Sequence, residues 1–179
     1  NTGDTYSYGA DGSTERALGT LRSGSLDPVF GAFFTNDTGS TITSLNISYT
    51  GEEWRLGSAG RTDHLNVDYQ VGASEGDLLT GAWTSVAALN FLTPDIANTG
   101  AKDGNSVFSI LSGTITGLSI APGATFAIRW TDSDASSSDD GLAVDNFALS
   151  ASGSTPANSV IGGITILAEA DSLDRKSTR

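Results

Sequence analysis

The stretch that decides the fold class is HLNVDYQV, residues 64–71. Apolar side chains occupy every second position in it, from Leu65 to Val71, and polar side chains fill the positions between them. Successive side chains of a β-strand point to opposite faces, so this pattern predicts a strand with one face in a core and the other in water. Residues 42–49, ITSLNISY, repeat the pattern with Tyr49 on the apolar side.

Similar runs recur along the chain, separated by turn signals rich in Gly, Asn, Asp and Pro. The other predicted strands lie at residues 29–34, 53–56, 107–120, 125–131 and 142–149, with a weaker one at 83–91. No stretch has helical periodicity beyond about one turn, and no internal repeat is present. Short strands of this kind are typical of a sandwich or barrel. We predict an all-β fold, an antiparallel β-sandwich in one domain.

The predicted domain covers residues 1–150, and residues 151–179 form a linker and a polar tail. Within the latter, residues 160–168 are apolar enough to form one extra terminal strand. Two interpretations of that strand stay open. It is either the last strand of the same sandwich or a strand that pairs with the exposed edge of a neighbouring molecule.

The composition excludes several functional classes. The formal net charge is −12, from 21 acidic and 9 basic residues, so the surface repels phosphate and no nucleic-acid partner is expected. The chain has no Cys, which excludes disulfides and thiolate chemistry. It opens on Asn1 without Met, as expected of a secreted protein after signal-peptide removal or of an excised fragment. No apolar run reaches the roughly 18–20 residues of a membrane span.

An acidic segment follows the predicted strand at 125–131. Its sequence from residue 132 to residue 140 is DSDASSSDD, and a further Asp lies in the next strand. Ca²⁺ takes six to eight oxygen ligands, which such a segment can supply, although the spacing is not that of an EF-hand. The candidate calcium ligands are Asp132, Asp134, Asp139, Asp140 and Asp145. The alternative is an ordinary hairpin loop in solvent.

The predicted position of Asp145 in its strand is a further reason to expect a bound partner. If Phe147 faces the core, strand alternation places Asp145 on the same side, where an unpaired carboxylate costs several kcal/mol. Its partner is then Arg129, a metal ion or backbone amides.

Aromatic side chains on a surface bind sugar rings by stacking, so aromatic residues are the candidate ligand contacts. Trp54 is flanked by Glu52 and Arg55, which can bond to sugar hydroxyls. Trp83 and Tyr49 are the further candidates. The alternative for each Trp is a place in the core of the sandwich.

Catalytic constellations are missing from the sequence. His64 is the only His, no Gly-x-Ser-x-Gly motif is present, and zinc chemistry would need more His or a Cys. Glu52 and Glu53 are adjacent on a predicted strand, so they point to opposite faces and cannot flank one glycosidic bond. We do not expect an enzyme.

Five segments of the chain resemble a group of bacterial exported domains, found in proteins with PEP-CTERM sorting tails or appended to secreted enzymes. The segments lie at residues 13–19, 30–36, 47–55, 126–130 and 139–147. The resemblance implies a jelly-roll sandwich similar to laminin-G-like and carbohydrate-binding modules, displayed outside the cell. The chain departs from the group after Ser154, where a sorting motif is absent.

These observations favour a non-catalytic extracellular interaction module, secreted or at the cell surface. Its expected partner is carbohydrate or extracellular matrix, and its expected cofactor is calcium. The alternative function is a structural subunit of a surface layer, sheath or fibre that self-associates through its C-terminal strand.

Overall fold

The computed structural model describes residues 3–153 and 166–167. The strands are β1 (Asp4–Tyr8), β2 (Ala17–Leu21), β3 (Val29–Thr35), β4 (Ile42–Leu56), β5 (His64–Val71), β6 (Thr84–Ser85), β7 (Phe91–Leu92), β8 (Gly100–Ala101), β9 (Phe108–Ile120), β10 (Thr125–Asp132), β11 (Gly141–Gly153) and β12 (Ile166–Leu167). One 3₁₀ turn, Ala87–Leu89, precedes β7, and the described residues contain no α-helix.

The strands form two antiparallel sheets that pack face to face. The first sheet has the order β1-β2-β11-β4-β9, and β8 pairs with β4 beyond the end of β9. The second has the order β12-β3-β10-β5, and both β6 and β7 pair with the far edge of β5. Apart from β1, which adds to β2 at the edge of the first sheet, early and late strands alternate within each sheet, which is the arrangement of a jelly roll. The predicted all-β sandwich is confirmed.

The core lies between the two sheets and contains the apolar faces that the alternation predicted. In β5, Leu65 and Val67 are completely buried, whereas Val71 at the strand end is 41% exposed. Aromatic rings dominate the centre, where the ring of Trp130 meets the rings of Tyr49 and Phe147 edge to face. The buried core side chains are Phe30, Phe34, Ile42, Leu45, Ile47, Tyr49, Leu65, Val67, Leu89, Phe91, Ile115, Leu118, Ile120, Phe126, Ile128, Trp130, Leu142 and Val144.

Two strand predictions need correction. The separate strands predicted at 42–49 and 53–56 are one 15-residue strand, β4. The strand runs through Gly51, where a side chain does not fit because a Cβ there would lie 2.3 Å from the ring of Phe91. The weak strand predicted at 83–91 is instead the two-residue β6, the 3₁₀ turn and the start of β7.

The described part of the C-terminal segment is short. Ile166 and Leu167 pair with Phe34 and Phe33 of β3. The rest of the predicted strand at 160–168 lies outside the described residues.

Candidate functional site

A β-bulge in β11 decides which side chains reach the face of the first sheet that is turned away from the core, here called the outer face. The register with β4 shifts between Asp145 and Ala148, and Asn146 has a φ of 51°. The extra residue reverses the alternation, so Val144 and Phe147 both pack on the core. Asp145 therefore lies on the outer face, and the expectation that it shares a side with Phe147 is wrong.

Three carboxylates meet on the outer face and form the carboxylate cluster, Glu15, Glu52 and Asp145. One oxygen from each lies within 4.8 Å of the other two, and among the described residues no other trio of potential metal ligands is this close. Glu52 is only 2% exposed, and the indole N–H of Trp54 donates to its Oε2 at 2.8 Å. The structure thus joins Asp145, a predicted metal ligand, to Glu52 and Trp54, predicted contacts for a sugar.

The carboxylate cluster carries negative charge that the described residues do not neutralise. Burial is the main cause that raises the pKa of Glu52, and the charges of Asp145 and Glu15 raise it further. No Lys or Arg in the described part of the chain forms an ion pair with any of the three. Glu15 Oε1 is buried and has no hydrogen-bond donor. A bound proton or a hard cation would stabilise this group of carboxylates, because either one reduces the repulsion between their charges.

Beside the carboxylate cluster the outer face forms a shallow depression of about 380 Å³, here called the polar trough. The register of β9 with β4 places Ser112 opposite Ser48 and Thr114 opposite Asn46, while Ser150 of β11 closes the other side. Thr114 Oγ1 donates to Asn46 Oδ1 at 2.8 Å. Hydroxyl and amide groups from three strands therefore line this depression together with apolar atoms, which make up the larger part of its exposed surface.

Two apolar side chains connect the polar trough to the carboxylate cluster along β9. Phe108 stands opposite Glu52 and is 45% exposed, and Ile110 stands opposite Thr50 and is 75% exposed. The outer face thus offers a sequence of carboxylates, apolar surface and hydroxyl groups. This combination suits a ligand that has both hydroxyl groups and apolar faces.

The acidic loop, residues 132–140, is fixed in place by hydrogen bonds and ion pairs with other parts of the protein. The guanidinium of Arg61 bonds to both carboxylate oxygens of Asp140 at 3.2 and 3.3 Å, and it lies 3.5 Å from Asp63. The amide of Gly57 donates to Asp140 at 2.6 Å. Burial raises the pKa of both Asp63 and Asp140, and the positive charge of Arg61 opposes that rise. Arg61 already supplies a positive charge here, so Asp140 serves to fix the loop.

The other predicted metal ligands of this loop are dispersed. Asp134 is exposed and lies 3.6 Å from Arg22, while Asp139 Oδ1 accepts the amide of Ala135 at 3.1 Å. Asp132 is 4% exposed, and its Oδ2 accepts the hydroxyl of Thr20 at 2.8 Å.

The second carboxylate oxygen of Asp132 has no hydrogen-bond partner. Burial raises the pKa of this carboxyl to about 7, and the negative charges of Asp63 and Asp139 add to the effect. The acidic loop therefore contains a carboxyl whose charge opposes folding at neutral pH.

Three predicted ligand contacts lie away from the outer-face site. Tyr49 is 1% exposed, and its hydroxyl donates to the carbonyl of Leu89, which corrects its placement on the surface. Arg55 donates to the carbonyl of Asp139 in the acidic loop. Trp83 lies on the second sheet, where the guanidinium of Arg129 in β10 is 4.1 Å from the centre of its ring.

Two further expectations are settled by side-chain position. Arg129 pairs with Asp68 at 3.0 Å and is not the partner of Asp145. Trp54 is 9% exposed and stacks on Tyr8 at a centroid separation of 5.8 Å, so its ring packs inside the protein. Its part in the site is to hold Glu52.

The opposite orientation of Glu52 and Glu53 is confirmed. Glu53 Oε2 accepts the amide of Asp95 at 2.9 Å on the other side of β4, and Glu53 is completely buried. Burial raises its pKa to about 7.

Sequence reasoning missed Glu15 and most of the polar trough. Glu15 lies in the loop before β2, where nothing in its own segment indicates a partner. A signal for the trough does exist in β9, because Phe108, Ile110, Ser112 and Thr114 occupy every second position. The residues of β4 and β11 that lie next to these side chains could not be predicted, because the pairing register of the three strands is not evident from the sequence.

No protein-family model, curated protein or solved structure matches this chain. The part of the chain that the structure describes contains no helix capable of spanning a membrane. Fold and surface together define the class as an all-β jelly-roll sandwich with a polar, partly acidic outer face.

Proposed function

We propose that the protein is a non-catalytic extracellular module that binds carbohydrate on the outer face of its first sheet. The observation that carries this proposal is the juxtaposition of the polar trough with the exposed Phe108 and Ile110. Sugar hydroxyls exchange hydrogen bonds with Ser, Thr and Asn side chains, and the apolar face of a sugar ring packs on an exposed ring such as that of Phe108. The open shape suits a polysaccharide chain lying across the strands.

Calcium at the carboxylate cluster is the second element of the proposal. Three close carboxylates without a basic partner in the described residues are hard oxygen ligands of the type that Ca²⁺ prefers. Asn105 donates to Glu15 Oε2 at 2.8 Å, so its amide group adjoins the cluster. The site proposed from the structure shares only Asp145 with the calcium site predicted from the sequence.

The carbohydrate proposal is tested by isothermal titration against soluble plant and bacterial polysaccharides. Ile110→Ala is the test variant and Leu79→Ala is its matched control, since the two side chains are 75% and 73% exposed. Both truncations remove a similar exposed apolar surface and leave the core intact. We expect Ile110→Ala to weaken binding at least about 5-fold, roughly 1 kcal/mol, and Leu79→Ala to leave it unchanged. An equal loss of binding in the two variants would contradict the proposal. A wild-type protein that binds none of the polysaccharides would contradict it as well.

The calcium proposal is tested by thermal unfolding in calcium and in chelator. Calcium at about 100 times its Kd stabilises the folded state by roughly 2.7 kcal/mol. We expect that gain in the wild type and in Asp134→Asn, whose side chain is 71% exposed in the acidic loop, but not in Asp145→Asn. A wild-type melting curve that is the same in calcium and in chelator shows that the cluster binds no calcium.

A further inference from the structure

β9 is a long edge strand with an open side. It runs for 13 residues, pairs with β4 along one side, and pairs with no other strand of the described residues. Every second backbone N–H and C=O group of an edge strand points away from its sheet and can pair with another strand. Leu111 and Gly113 are only half-buried although they point toward the core, so the sandwich is open at this edge.

Over Phe108 to Thr116, β9 lacks the features by which proteins protect sheet edges. Such edges carry charged side chains, Pro or β-bulges, or are very short. The irregularity in β9 lies beyond this segment, between Thr116 and Ile120, where Gly117 has a φ of 74°. The sequence of β9, FSILSGTITGLSI, has no charged residue and no Pro, in a chain with a net charge of −12. The opposite edge of the same sheet, β1, has only five residues and contains Asp4.

We propose that β9 pairs antiparallel with β9 of a second copy of this chain about a two-fold axis. Two-fold pairing uses the same surface on both copies, so each surface must be compatible with itself. A surface with a net charge of −12 repels a second copy, and the uncharged β9 is where two copies approach with the least repulsion. The exposed Ile110 then packs against the partner strand.

Pairing through β9 joins the two first sheets into one continuous sheet. The polar trough borders β9, so both troughs lie on the same side of the joined sheet. This arrangement does not require the proposed carbohydrate ligand, because β9 pairs through its backbone.

The test uses the full 179-residue chain in analytical ultracentrifugation over about 1–200 µM at two salt concentrations. Wild type is expected to approach twice the 18.3 kDa chain mass as its concentration rises. The fraction of dimer should increase from about 0.05 M to 0.5 M NaCl, because salt screens the repulsion between like-charged copies.

Ser112→Lys is the test variant, and Ser150→Lys, on the same outer face but in β11, is the matched control. Both lower the net negative charge equally, so any general electrostatic effect is the same in the two. We expect Ser112→Lys to raise the dimer Kd at least about 10-fold, since it places a positive charge on each of the two pairing strands, and Ser150→Lys to leave it nearly unchanged. Circular dichroism confirms that both variants are folded.

Hydrogen exchange locates the contact independently of the variants. Amides of Phe108 to Thr116 should exchange more slowly at a concentration that favours the dimer than at one that favours the monomer. A wild-type chain that stays monomeric to 200 µM overturns the proposal. A dimer that Ser112→Lys does not weaken, or that leaves β9 exchange unchanged, also overturns it.

Discussion

Asp132 is expected to make the stability of this protein fall as the pH rises, and Asp132→Asn should remove that dependence. The carboxyl is buried, one oxygen bonds to Thr20 and the other has no partner. Because its pKa is about 7 in the folded protein and near 3.8 when unfolded, the folded state keeps its proton to higher pH. Between about pH 4 and pH 7 the unfolded chain is ionised at this position while the folded protein still holds the proton, so the free energy of unfolding decreases as the pH rises.

The magnitude follows from the difference between the two pKa values. A rise from 3.8 to about 7 corresponds to about 4 kcal/mol, at 1.36 kcal/mol per pKa unit. Asn is neutral at every pH, and its amide oxygen can still accept the hydroxyl of Thr20. We expect Asp132→Asn to be more stable than wild type at pH 8 by up to about 4 kcal/mol, and to differ little from it near pH 4.

The assay is urea unfolding followed by fluorescence at several values of pH from 4 to 8. Asp134→Asn is the control, because it removes the same formal charge from an exposed position in the same loop. Glu53, with a pKa also near 7, contributes its own slope to every variant, so the difference between wild type and Asp132→Asn isolates Asp132. Unfolding free energies of these two proteins that run parallel from pH 4 to pH 8 would refute the reasoning.

Three further substitutions test packing and charge through the free energy of unfolding. Arg61→Met should cost about 3–5 kcal/mol, because it leaves the completely buried Asp140 without its charged partner; recovery of that loss at low pH would identify the carboxylate as the cause. Gly51→Ala should cost about 1–3 kcal/mol, since the new methyl group overlaps the ring of Phe91; a stable variant would show that the ring moves freely. Tyr49→Phe should cost about 1 kcal/mol through one lost hydrogen bond to a carbonyl, and a loss below 0.3 kcal/mol would contradict that bond.

Alternation predicted the fold well wherever a strand is regular. In β5, Leu65 and Val67 are buried as their positions required, and the dense apolar run of β3 supplies Phe30 and Phe34 to the core. The same rule failed in β11, where the bulge at Asn146 adds one residue and reverses the faces. A bulge depends on the partner strand, so the sequence of β11 alone could not indicate it.

The candidate site was less predictable than the fold, because its members meet only through strand pairing. Glu15, Glu52 and Asp145 come from three segments separated by tens of residues, and the register between β2, β11 and β4 brings them together. Each residue alone resembles an ordinary surface carboxylate. Trp54 was mispredicted in the opposite sense. Its polar neighbours in the sequence indicated an exposed ring, but the ring is buried because it stacks on Tyr8, which is distant in sequence.

The bulge at Asn146 means that β11 contains one residue more than its pairing with β4 requires. Without Asn146, Asp145 and Phe147 would be consecutive positions of a regular strand, so Val144 and Phe147 would still face the core and Asp145 would still face outward. The extra residue is therefore not needed to sort these side chains between the two faces. What a bulge adds is a local bend and a stronger twist, and here that bend lies beside Asp145 of the carboxylate cluster. Deletion of Asn146 should thus change the position of Asp145 relative to Glu52 more than it changes the packing of the core.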